Sequence, residues 1–113
     1  MRAAAAAALA ALALAAPAFA ERAAPRAAIG TTVSPARLLG RWGDNGDCSK
    51  DVIFRGDGTF RSYTGGEGGW RLAGDRLTMT GANGAFVLIV RRIGPDRLRI
   101  VNPDGSIGFS QRC

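Results

Sequence analysis

The chain has 113 residues, 15 basic against 9 acidic side chains for a formal net charge of +6, no histidine and only two cysteines. That length allows one small domain, and without histidines or a cysteine cluster no spacing suits a metal site. The positive charge raises nucleic acid as a partner, but no basic run is interleaved with aromatic residues, and nucleic acid is not expected.

Residues 1–20 read as a signal peptide. Arg2 gives a thin positive start, Ala3 to Ala16 form an apolar run ending in Pro17, and Ala18-Phe19-Ala20 is a small-x-small cleavage site. The run is shorter than the roughly 20 residues that span a bilayer, so no transmembrane segment is expected after cleavage. No cysteine near the junction supports a lipid anchor. The expected compartment is the periplasm or the exterior, which is oxidising.

Residues 21–36, from Glu21 to Ala36, contain Pro25 and Pro35 and little apolar periodicity. They are expected to form a flexible N-terminal tail, because they bury too little to offset their ordering entropy. Ser34 followed by Pro35 can start one helical turn, with Ser34 as cap and Pro35 at the first helical position. The folded domain is then expected over 37–113.

From Arg37 onward, turn signals recur at short intervals: Asp44-Asn45-Gly46, Gly56-Asp57-Gly58, the run Gly65 to Gly69, Gly74-Asp75, Gly81 to Gly84, Gly94-Pro95-Asp96 and Asn102 to Gly105. The segments between them are too short for helices and rich in strand formers. The expected fold is all-β, a small up-and-down antiparallel β-barrel of about eight short strands with one disulfide.

Period-two alternation assigns the inward face. Val52 and Phe54, Phe60, Trp70 and Leu72, Leu77 and Met79, and Leu98 and Ile100 are expected inside, with Ile107 and Phe109 from the last segment. Arg61, Arg71, Arg97 and Arg99 fall outside. The run Ala85 to Arg92 does not alternate, which suggests cover on both faces, from the tail or the turn before the first strand. Eight strands of bulky side chains are expected to fill their own interior, leaving no large cavity.

Two cysteines in an exported chain pair most simply with each other, Cys48 to Cys113. So long a loop contributes roughly 4 kcal/mol in the chain-entropy model, which matters in a unit this small. Cys48 opens the second strand at one barrel end and Cys113 closes the eighth at the other. The bond therefore requires either that residues 44–51 drape along the wall or that one segment is not a strand.

Gly40-Arg41-Trp42 near the first strand, with Arg112 near the end of the last, resembles the Gly-x-Trp signature of lipocalin and calycin barrels. The resemblance implies that Arg112 stacks on Trp42 as a cation-π pair. A second resemblance, carried by "LLGRW" and its following cysteine, "LTMTGANG", "RRIGPDR" and "DGS", is to the bacterial periplasmic inhibitors of secreted zinc metalloproteases. It implies that an N-terminal tail, not the barrel, enters the protease cleft; here the second cysteine is terminal instead of mid-chain.

No carboxylate pair stands out for acid–base chemistry, since most of the aspartates occupy turn contexts, and "GGEGG" precedes a strand instead of the helix a phosphate loop requires. The sequence thus points to a monomeric, non-enzymatic binding module without cofactor, whose partner is another periplasmic or secreted protein. The alternative is an anion-binding cell-envelope protein using Arg61, Arg71, Arg97 and Arg99; a GC-rich genome also accounts for the abundance of Arg, Ala and Gly.

Overall fold

A computed structural model describes residues 29–113. The expected signal peptide and the tail over 21–28 lie outside the described residues. One helical turn, α1 (Pro35–Leu38), precedes eight strands: β1 (Gly40–Asp44), β2 (Asp47–Phe54), β3 (Thr59–Ser62), β4 (Glu67–Ala73), β5 (Arg76–Gly81), β6 (Gly84–Gly94), β7 (Arg97–Val101) and β8 (Ile107–Arg112). Each pairs antiparallel with its neighbour, and β8 returns to β1, closing the barrel in the expected up-and-down order. Closure leaves no unpaired strand edge.

The turns form where the sequence supplies local acceptors. Asp47, Asp57 and Asp104 each accept the backbone N–H and the hydroxyl of the residue two positions on, Ser49, Thr59 and Ser106. These bonds hold the three carboxyls below the ordinary aspartate range, the side-chain hydroxyl being the largest cause in each case.

One barrel end, the base, is plugged. Ser34 caps α1 by accepting the Arg37 N–H at 3.2 Å, with Pro35 in the first turn as expected. This turn aims Leu38 into the barrel, where it is fully buried, a burial contributing roughly 1.5–3 kcal/mol. Above it lie Trp42, Phe54, Leu77, Val90 and Leu98, all buried. The opposite end, the mouth, carries the β1–β2, β3–β4, β5–β6 and β7–β8 connections.

Three expectations require correction. The tail was expected to stay flexible up to Ala36, but residues 30–33 are bound to the base. Thr31 and Arg92 exchange backbone hydrogen bonds at 2.9 and 2.7 Å, the Arg91 guanidinium donates to the Gly30 carbonyl at 2.9 Å, and Val33 joins the core at 4% exposure. One buried apolar side chain and four hydrogen bonds, two of them from the Arg91 guanidinium, anchor the segment where a periodic pattern is missing. Second, Ile107 and Phe109 point outward. Phe109 pairs with Arg99 and Ile107 with Val101, while Gly108, Ser110 and Arg112 take the inner face. Third, the interior is not filled by its own side chains, as described below.

The run in β6 has its partial explanation in the same register. Leu88 and Val90 face inward, Val87 and Ile89 outward, and the N-terminal segment covers the strand only near Arg91 and Arg92.

All eight strands and the disulfide coexist. Gly43 pairs with Asp51 and Asp44 with Asp47, so residues 48–50 form a bulge in β2. The bulge drapes over the outer face of β1 and brings Cys48 to Cys113, with the two Cα atoms 5.9 Å apart. Only glycine fits at 43, because a Cβ there would stand 2.8 Å from the Asp47 carbonyl group. Arg41 pins the bulge from outside, donating to the Cys48 carbonyl at 2.7 Å and to Asp51.

Candidate functional site

The barrel is a cup. A cavity of about 840 Å³ opens at the mouth and descends to Leu38 and Trp42, a volume within the roughly 300–1,000 Å³ of small-molecule sites. Its deep wall is apolar: Phe54, Phe60, Leu77, Met79, Val90 and Leu98 are buried, with Val52, Leu88 and Ile100 half-buried above them. Short residues make the room. Ser62 and Ser110 occupy inward positions next to Val52 and Leu98, and Gly108 stands opposite Ile100.

The rim is polar. Ser62, Thr64, Glu67, Asn83 and Asn102 surround the opening, and Phe86 stands among them 44% exposed. The Ser62 and Thr64 hydroxyls bond each other at 3.1 Å. Asn102 donates its amide to the Ser106 carbonyl and hydroxyl, bracing the β7–β8 connection. Among the described residues Glu67 is the one ionisable residue at the rim, and the register sets it on the outer face opposite Arg61. Its nearest cation is Arg61 on the outer wall, at 3.8 Å, with both side chains more than half exposed.

The signature residues Gly40, Trp42 and Arg112 converge at the base. The Arg112 guanidinium lies 4.2 Å from the Trp42 ring centroid. It donates to the Leu39 carbonyl at 2.9 Å and the Arg37 carbonyl at 2.7 Å, and reaches Asp96 at 3.2 Å. The Trp42 indole N–H donates to the Leu38 carbonyl at 2.9 Å. Gly40 has φ +113°, and a Cβ there would press on the Arg112 guanidinium at 2.9 Å. Trp42 forms part of the cavity floor, while Gly40 and Arg112 lie behind it and do not line the cavity.

The four outward arginines do not converge. Arg61 and Arg71 belong to the neighbouring strands β3 and β4, Arg97 and Arg99 to β7. Arg97 lies over the outward Phe109 ring at 5.1 Å. Sequence reasoning missed Arg91, which stands directly opposite Arg99 and pairs with Asp75 at 3.3 Å. The inward phase of Val90 on β6 was the signal that could have placed it.

Among the described residues, no group of His, Cys, Asp and Glu could hold a metal ion, and no helix is long and apolar enough to cross a membrane. No protein-family model, curated protein or solved structure matches the chain.

Proposed function

We propose that this protein is an exported, non-enzymatic binding module that holds a small apolar or amphipathic molecule in its cup. The observation that carries this reading is the open cavity, apolar below and polar at its rim, on a base sealed by Leu38, Trp42 and Arg112. Among the described residues the lining brings together no acid and base that could work as a pair. The disulfide suits an oxidising compartment. The closed eight-stranded antiparallel barrel is consistent with a calycin-type architecture, and the Gly40, Trp42 and Arg112 contact is the feature that supports a lipocalin-like reading.

The test is titration with N-phenyl-1-naphthylamine, a neutral dye that brightens in apolar surroundings. Saturable binding at one site per chain is expected. Ser62→Trp and Leu88→Trp, which each place an indole in the cavity, should abolish it; an absence of saturable binding in the unaltered protein would overturn the proposal.

Protease inhibition by an N-terminal tail, which the second resemblance implies, now rests on residues 21–28, because residues 30–33 are engaged by the base. Adhesion to anionic envelope material is favoured by one observation. Among the described residues Arg71, Arg97 and Arg99 have no carboxylate within ion-pair distance, whereas Arg91, opposite Arg99, is paired with Asp75. Such adhesion should weaken steeply with added salt, and a flat salt dependence would reject it.

A further inference from the structure

Ser110 is the one buried polar residue among the described residues, at 7% exposure, and it lines the cavity. Its place on the wall is low. In the β8 register it stands two residues nearer the mouth than Arg112, which pairs with Trp42, and directly beside the buried Leu98 on β7. The next inward position toward the mouth is Gly108, which has no side chain to cover it.

Among the described residues every fully enclosed side-chain nitrogen or oxygen has a hydrogen-bond partner. The Ser110 hydroxyl has none among them, so it is open to the cavity and carries an unused donor and unused lone pairs into an apolar wall. No other polar side chain of the described lining offers a bond at that depth. The Trp42 indole N–H is committed to the Leu38 carbonyl, the Arg112 guanidinium lies behind the indole, and the Ser62 hydroxyl bonds Thr64 at the rim. A hydroxyl withdrawn from water is costly unless something bonds it. Alanine would leave the same room without that cost.

We infer that the cup takes an apolar molecule with a neutral oxygen, a hydroxyl or a carbonyl, on the part that enters deepest, and that Ser110 Oγ hydrogen-bonds to that oxygen. This rests on the reading of the cup as the binding site and deepens it. The oxygen is neutral because a charged group would exchange its water for a single hydroxyl between Leu98 and Trp42. A plain hydrocarbon still fits, and leaves the Ser110 hydroxyl unused.

The experiment is displacement of N-phenyl-1-naphthylamine by indane, 2-indanone and 2-indanol, which share one ring frame and differ at one carbon. In Ser110→Ala the ketone and the alcohol, corrected for the dye's own affinity, are expected to bind about three- to tenfold more weakly, the scale of one hydrogen bond, with indane unchanged. Ser62→Ala, at the rim, should leave the three in their original ratio. If the ketone and the alcohol bind Ser110→Ala as well as the unaltered protein, the hydroxyl keeps water in the loaded cup; the inference falls and the cup remains a binding site. The same follows if neither displaces the bound dye, if all three ligands weaken alike in Ser110→Ala, or if Ser62→Ala produces the loss instead. If the dye does not bind the unaltered protein, the proposed function falls and the inference with it.

Discussion

Arg112, the penultimate residue, lies over the indole of Trp42 at 4.2 Å while donating to the carbonyls of Arg37 and Leu39. One guanidinium thereby joins the end of β8, the first strand and the chain leaving α1. Arg112→Ala removes a cation-π contact and charge-assisted hydrogen bonds together, an expected loss of about 2–4 kcal/mol. Arg112→Lys should recover only part of it, because an ammonium cannot stack flat and reach both carbonyls. Urea unfolding of the two variants checks both expectations.

The cross-link and the bulge that carries it are one device. Thiol titration of the native protein should find no free sulfhydryl, and replacing Cys48 and Cys113 by serine should cost about 4 kcal/mol. Gly43→Ala should also destabilise, since its Cβ meets the Asp47 carbonyl group beneath the bulge. When the cross-link is absent the bulge can lift, so Gly43→Ala should cost less in the serine background. A double-mutant cycle measures that coupling, and strict additivity would contradict it.

The turn spacing and the alternation of β2 to β5 made the barrel legible, because glycine, asparagine and aspartate mark turns through local backbone chemistry alone. The phase of β8 was also within reach. Arg112 and Phe109 are three residues apart, so they cannot share a face in a strand of period two. Stacking Arg112 on Trp42 already forces Phe109 outward. The cavity was not legible in this way. Whether bulky side chains fill a barrel depends on which of them meet across it, and the inward serines at 62 and 110 declare themselves only once the register is known. The anchored segment at 30–33 was hidden because its contacts are mostly backbone hydrogen bonds, which leave little trace in residue type.

Acid should weaken the turns. Asp47, Asp57 and Asp104 are held below the ordinary aspartate value by bonds from Ser49, Thr59 and Ser106. A carboxyl whose pKa is lower in the folded state stabilises the fold above its unfolded value, about 3.9, and loses that contribution as pH falls through the lower folded value. The urea midpoint should therefore hold level down to about pH 5 and decline below about pH 4. Replacing all three by asparagine keeps an acceptor oxygen but removes the titration, and should flatten that decline.

The anchoring of the N-terminal segment makes the sharpest distinction between an ordered base and a free tail. Val33 is buried among core residues although it precedes α1, so Val33→Ala should cost about 1.5–3 kcal/mol, the scale of a buried aliphatic side chain. A tail residue in solvent would give a change near zero. Val87, half-buried on the outer face of β6, is the control; Val87→Ala should cost less than Val33→Ala. Hydrogen exchange supplies an independent measure, because the Thr31 and Arg92 amides bond each other's carbonyls. Both should exchange slowly in the unaltered protein, and Thr31 should become fast in Val33→Ala. Equal, near-zero costs for the two valine variants, together with a fast Thr31 amide, would return residues 30–33 to the tail.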